Sequence, residues 1–333
     1  RSVCQVSLRQ EVHLIESATL PGKLDSLTPE RTICVLGAAV IDEIMTVPTL
    51  PSRGADIEVE SRKTHIGGCG LNIASALHRL NIPSVNAFLI GNGMGTNQIG
   101  NYLQARGIDI HLPKIDGDNS WCLALVEPDG ERSFVTATGV ENDWTLDILG
   151  QLDIQPNSLI YLSGYQLVSS ADVAIVSWLE SIDHAVEIVV DFGPRIEQIN
   201  PDIMVRLFAL NSIVTVNRDE ARMIGIDDPV EEAAADWSNR HDCPLIVRRD
   251  KDGAFFYRSE QDNGWVDSYA AEVKDTIGAG DSHTGGLLAG LSANWSLIDA
   301  IRLGNAIASY VVERTGGDCS PTLKELRRHL CEK

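Results

Sequence analysis

The chain has 333 residues, with 27 Lys and Arg against 47 Asp and Glu and a formal net charge of −20. That acid excess excludes nucleic acid or an anionic membrane surface as the main partner, since both would repel it. Its 44% hydrophobic and 22% charged content is that of an ordinary globular protein with one large core.

Residues 1–31 show no clear period and are expected to form a poorly ordered N-terminal extension. Glu11, Glu16 and Asp25 lie where a secretory signal would be apolar. From residue 32 the pattern changes. The β-branched and apolar run 32–39, ending near Gly37, predicts a buried strand, and the alternation over 58–66 predicts a half-exposed one. Gly67-Gly68-Cys69-Gly70 then precedes an amphipathic helix over 71–80. A strand at 85–90 and a helix at 97–106 follow, the helix ending before Gly107. Short alternating strands at 121–127 and 132–137 flank the turn Pro128-Asp129-Gly130.

Beyond residue 142, strands at 158–163, 187–191, 212–216 and 244–248 alternate with helices at 170–182, 200–209, 218–224 and 230–240. A hairpin around Gly253 and Gly264 leads to helices at 281–293 and 297–313. Strands alternating with helices indicate an α/β fold, a mostly parallel sheet covered on both faces. The pieces near 44–66 and 108–138 do not suit that sheet and are expected to form a small β flap beside it. The seven cysteines (Cys4, Cys34, Cys69, Cys122, Cys243, Cys319 and Cys331) are scattered, odd in number and without a Cys-x-x-Cys pair. They read as reduced thiols, not a disulfide framework or a zinc site. No apolar run reaches the roughly 18 residues of a membrane span. A cytoplasmic protein is expected.

Ligands of open α/β sheets bind beyond the carboxyl ends of the strands. Asp42, Gly67-Gly68, Asn217 to Glu220 and the segment 275–281 all fall there. Asp275-Thr276-Ile277-Gly278-Ala279-Gly280-Asp281 joins two carboxylates through a glycine-rich turn at the mouth of a small-residue helix. Free N–H groups and the positive dipole end at a helix start bind anions, and glycines let a phosphate approach the backbone. Asp281 stands where an anionic ligand would stand, so it either has a chemical task or caps its helix. The chain has no Gly-x-x-x-x-Gly-Lys-Ser/Thr loop. Gly91-Asn92-Gly93-Met94-Gly95-Thr96 lacks the third glycine of a dinucleotide fingerprint and reads as a turn, which leaves a NAD-linked oxidoreductase little support.

Together these motifs resemble the ribokinase-like (PfkB) family of carbohydrate kinases over about 32–330. Gly67-Gly68-Cys69-Gly70-Leu71-Asn72-Ile73-Ala74 is similar to the family's N-terminal Gly-Gly signature. The heptapeptide, about 200 residues later, is similar to its C-terminal Asp-Thr-x-Gly-Ala-Gly-Asp signature. The resemblance implies a three-layer α/β/α fold with a small β lid, one kinase domain over 32–333. It implies ATP-dependent phosphorylation of a sugar or sugar-acid hydroxyl, a primary alcohol, in a homodimer joined through the lid. Asp281 would be the base, and the amides of Gly278, Ala279 and Gly280 the anion hole. Asp42, Gly67, Gly68 and Asn72 would bind the sugar.

Asn217 and Glu220 match the Asn-x-x-Glu motif, Glu220 organising Mg²⁺ through water. Asn305 matches a nucleotide-pocket position, or else is a buried Asn capping a loop. Asp191-Phe192-Gly193-Pro194-Arg195 resembles an Asp-x-Asn-x-Arg run with Gly193 in place of the Asn; Arg195 meets an acidic sugar or makes a structural ion pair. Asp275 matches a monovalent-cation (K⁺) position, with carbonyls from Thr315-Gly316-Gly317. Arg248-Arg249-Asp250 departs from the family's Thr-Leu-Gly turn, and no phosphate role carries over there. A nucleoside kinase, or a sugar-sensing binding protein on a kinase fold, are the alternatives.

Overall fold

The computed structural model describes residues 19–332. The chain enters through a short helix, α1 (Leu20–Lys23), and crosses to β1 (Ile33–Gly37). Only Ala38 and Ala39 separate β1 from β2 (Val40–Thr46), which returns through β3 (Ser61–Gly67) into α2 (Cys69–Arg79). Next come β4 (Ser84–Phe88), α3 (Thr96–Arg106) and the hairpin of β5 (Trp121–Val126) and β6 (Arg132–Ala137). A short α4 (Leu146–Leu149) leads to β7 (Leu159–Ser163), α5 (Gly164–Leu167), α6 (Asp172–Ser181), β8 (Glu187–Asp191) and α7 (Pro201–Phe208). Then follow β9 (Ser212–Asn217), α8 (Arg218–Met223), α9 (Val230–His241) and β10 (Leu245–Arg248). The hairpin β11 (Ala254–Ser259) and β12 (Asp262–Val266) precedes α10 (Ala279–Ser292), α11 (Leu297–Val311) and α12 (Leu323–Cys331).

Eight strands form one sheet in the order β12-β11-β10-β9-β8-β7-β1-β4. It is parallel from β4 to β10 and antiparallel only at β11 and β12. Its central strands are buried along their whole length, as parallel strands covered on both faces must be. Alternate residues feed two separate cores: Val35 and Tyr161 pack with α2, α10 and α11, whereas Leu36 and Ile160 pack with α6, α7 and α9. The protein is therefore a three-layer α/β/α sandwich. Glycines let the helices of the first layer close up. A Cβ at Gly286 would lie 2.8 Å from the Gly304 Cα of α11, and one at Gly285 would lie 2.8 Å from Ala76 of α2.

The remaining four strands form the lid, in the order β3-β2-β5-β6. Two antiparallel hairpins meet along a parallel β2–β5 pairing, so the flap is one sheet with a parallel seam. Registers place His65, Asp42, Cys122 and Thr136 in one row across it.

The extension read at 1–31 divides. Residues 1–18 lie outside the described residues. Leu20, Leu24 and Leu27, by contrast, are buried in the first core, so this stretch is packed and not a loose tail. The helix expected at 170–182 is present as α6; a short α5 capped by Ser163 precedes it, and the Ala171 N–H donates to Ser169 Oγ at 3.2 Å in the turn between them. Among the described residues no helix is long and apolar enough to cross a membrane.

Candidate active site

The segment 275–281 folds as a turn stapled at its base. Asp275 accepts hydrogen bonds from the Ile277 N–H at 3.0 Å and the Gly316 N–H at 2.9 Å. Gly278, the N-cap of α10, has φ +74°, and a Cβ there would lie 2.5 Å from the Gly317 carbonyl oxygen. Only glycine meets both conditions without strain. The Ala279 N–H donates to the Thr276 carbonyl at 3.2 Å, which withdraws it from the expected anion hole. The N–H groups of Gly278, Gly280 and Asp281 have no protein acceptor among the described residues. They stand free at the start of a 14-residue helix, where the dipole favours an anion.

Asp281 does not cap α10, which has no side-chain cap. Its Oδ2 instead accepts from Asn72 Nδ2 at 2.7 Å, so the two sequence signatures meet in one hydrogen bond. Burial pushes the Asp281 carboxyl above its ordinary range and the Asp191 charge adds to this, while the Asn72 bond and Arg248 pull it back.

Asn217 and Glu220 form a reciprocal capping box at the start of α8. Glu220 accepts from the Asn217 N–H at 2.8 Å and from Asn217 Nδ2 at 2.7 Å. Burial raises the Glu220 carboxyl, Asp191 raises it further, and Arg248 lowers it. Among the described residues no group of three His, Cys, Asp or Glu side chains is placed to hold a metal directly. A carboxylate already holding two donors fits a hydrated Mg²⁺ that arrives with substrate phosphates. Sequence reasoning missed Arg248, which lies between Glu220 and Asp191.

A cavity of about 170 Å³ adjoins Asp281, lined by Cys69, Tyr161, Ser163, Tyr165 and Asp191 among others. On the lid, Asp42 lies against the turn into α2: a Cβ at Gly67 would lie 2.8 Å from Asp42 Oδ2. Burial raises the Asp42 carboxyl and the neighbouring His65 lowers it. Gly68, with φ +107°, brings the backbone within 2.5 Å, measured from an added Cβ, of the Ala38 carbonyl. The Arg195 guanidinium sits 5.3 Å from the Tyr165 ring centre, so it is held by an aromatic face and not by the Asp191 that precedes it in sequence. Asp191 is committed to Arg248. Tyr165 was also missed; its signal was an aromatic two residues past the end of a buried strand.

A separate groove of about 550 Å³ is lined by Arg249, Lys251, Asp252, Trp265, Asp267 and Ser268. Asn305 does not line it. Its Nδ2 donates to the carbonyls of Val266 and Asp267, both at 3.0 Å, so it braces the groove's wall from behind. These bonds are those of the alternative reading, a buried Asn that caps a neighbouring loop. Asp250 has φ +54° and its exposed carboxylate lies 3.6 Å from Arg218. The Thr315–Gly317 loop meets Asp275 through the Gly316 N–H.

A mostly parallel sheet between two helical layers, with a β lid and an open helix N-terminus bearing a carboxylate, is the architecture found in ribokinase structures. The fold is shared with the aminoimidazole riboside kinase of Salmonella enterica solved with aminoimidazole riboside and an ATP analog (TM-score 0.74, 20% identity, 90% of this chain and 100% of that one). It is shared too with Arabidopsis thaliana ribokinase solved with ribose and ATP (TM-score 0.73, 20% identity, 91% and 99%). The chain belongs to the pfkB family of carbohydrate kinases, whose family model matches residues 30–323, and is thus a kinase, a transferase. It is 43% identical over 316 residues to YegV of Escherichia coli K12, described as an uncharacterized sugar kinase, covering 94% of this chain and 98% of that protein.

Proposed function

We propose that the protein transfers the γ-phosphoryl group of ATP to a sugar or sugar-acid hydroxyl, a primary alcohol, with Asp281 as base. One observation carries this reading: a half-buried carboxylate, oriented by Asn72, stands in the same helix turn as the free amides of Gly278 and Gly280. The acceptor hydroxyl gives its proton to the Asp281 oxygen not held by Asn72 as its own oxygen attacks phosphorus. The glycine amides meet the charge on the transferring group, a role that requires position and no covalent chemistry. Ala279 contributes by shaping the turn.

Asp42, Asn72 and the backbone at Gly67 and Gly68 hold the sugar, and Arg195 on Tyr165 faces any acidic substituent. Lid closure excludes water and so suppresses ATP hydrolysis. The triphosphate lies along the 550 Å³ groove, with Arg249 and Lys251 offering positive charge and Asn305 steadying its wall. Glu220, itself held by Asn217, would hold a Mg²⁺ through water together with the nucleotide phosphates, and the ion would supply positive charge there. K⁺ at Asp275 would have to share oxygens already bonded to two N–H groups. Activity unchanged when K⁺ is replaced by a large organic cation removes it from the reading.

The half-open cavity of about 170 Å³ favours a single sugar ring over a nucleoside, being well below the roughly 300–1,000 Å³ of pockets for larger ligands. Exposed Trp121 and Val135 on one lid face support pairing of two lids in a homodimer. A coupled ADP-release screen over sugars, sugar acids and nucleosides, with Asp281→Asn as control, tests the reading. ADP release undiminished in that variant overturns the base; binding of a sugar without ADP release from any acceptor supports a sensing protein instead.

A further inference from the structure

Arg248, the last residue of β10, has no place in the roles above, yet it lies directly beneath the anion turn. Its Nη1 and Nη2 donate to Asp191 Oδ2 at 2.9 Å and Oδ1 at 3.1 Å, a bidentate pair. Nη1 also reaches the Gly280 carbonyl at 3.3 Å and Thr284 Oγ1 at 3.4 Å. Nη2 lies 3.6 Å from Glu220 Oε2. Thr284 completes the frame by donating to Asp191 Oδ2 at 3.1 Å. One side chain therefore joins the end of β8, the start of α8 and the first turn of α10. It is 12% exposed, and its Nε–H is buried without an acceptor among the described residues.

Asp191, Glu220 and Asp281 all line the cavity that Arg248 lines. Like charges gathered in a partly buried site need a counter-charge, and removing one partner of a buried pair leaves the others uncompensated. A divalent cation is the obvious substitute. The planar fork of arginine can fix two carboxylates at once, which a lysine ammonium cannot.

We propose that Arg248 is the positioning residue of the transfer site: it frames Asp191, Glu220 and the Gly280 carbonyl and serves as the resident counter-charge, so that a divalent ion enters only with nucleotide. This rests on the phosphoryl-transfer reading. It makes a prediction that a merely structural ion pair does not: removing the arginine should open the nucleotide-free protein to metal.

The test titrates Mn²⁺ into nucleotide-free protein, following free Mn²⁺ by electron paramagnetic resonance, and measures Mg·ADP binding by calorimetry. Arg248→Met should bind Mn²⁺ at least about tenfold more tightly than wild type and Mg·ADP about tenfold more weakly, the scale of a lost ligand-orienting contact. Arg248→Lys should restore Mn²⁺ exclusion but not Mg·ADP affinity. Mn²⁺ and Mg·ADP curves of Arg248→Met that superimpose on wild type overturn the proposal. If Arg248→Met does not fold, the charge-balanced pair R248M and D191N takes its place, and unchanged Mg·ADP affinity there overturns the framing role. Asp281→Asn separates the two readings: turnover surviving in it sinks the base, whereas its loss with indifferent Arg248 variants sinks only the present proposal.

Discussion

The anion turn and the lid row are built from different material. The turn at 275–281 acts through backbone: its N–H groups are aimed by a left-handed Gly278 pressed against Gly317 and by a staple at Asp275. The lid row of His65, Asp42, Cys122 and Thr136 acts through side chains, standing on strands of which β3 is largely exposed. A backbone site tolerates almost no substitution, because any Cβ disturbs its shape. A side-chain site on an exposed strand can be exchanged residue by residue without refolding. On the proposed reading, the phosphate end would define the reaction and the lid end the acceptor.

Substitutions separate the two. The largest effect is expected at Asp281→Asn, with kcat reduced about 10³-fold, within the range of a lost general base. Because the carboxyl is raised and must be ionised to take a proton, the acid limb of the wild-type pH–rate profile should lie above the ordinary carboxylate range. The stability sign follows from the same shift. A carboxyl raised on folding contributes stability below its unfolded pKa and loses it as pH rises through the folded value. Asp281→Asn should therefore melt higher than wild type at neutral pH, and a lower Tm there contradicts the shift.

Gly278→Ala comes next. Strain at φ +74° and the Gly317 contact should cost about 1–3 kcal/mol in thermal unfolding and remove most ADP release. On the lid, Asp42→Asn should raise the acceptor KM by about tenfold, the worth of one charged hydrogen bond, and leave the KM for ATP unchanged. Equal changes in both constants would erase the division between the two ends. The smallest effect is expected at Asp250→Gly, which relieves a left-handed non-glycine residue and should stabilise by about 1 kcal/mol without altering kcat.

The parallel sheet was legible because its strands are short apolar runs, such as Leu159–Ser163, spaced by helices. The anion turn was legible because its glycines are demanded by local geometry. The separation of β1 from β2 was not. Only Ala38 and Ala39 lie between them, with no turn residue to mark where the chain leaves the main sheet for the lid. The helix α12 went unread although Thr322 and Glu325 carry its capping box, since its apolar face becomes visible only against the core. Asn305 illustrates the limit at the site: a motif position fixes where a residue lies, but its partners, here the Val266 and Asp267 carbonyls, depend on a loop from elsewhere in the chain. Arg248 was invisible for the same reason, its three acid neighbours coming from three separate elements.

The central claim is that Asp281 acts on the acceptor's proton and not on nucleotide binding. Single-turnover phosphoryl transfer by Asp281→Asn, at saturating ATP and with an acceptor found in the screen, tests it most directly alongside Mg·ADP affinity. The account predicts transfer slowed by about 10²-fold or more with Mg·ADP binding retained. Transfer at the wild-type rate, or loss of transfer matched by an equal loss of Mg·ADP binding, would contradict it.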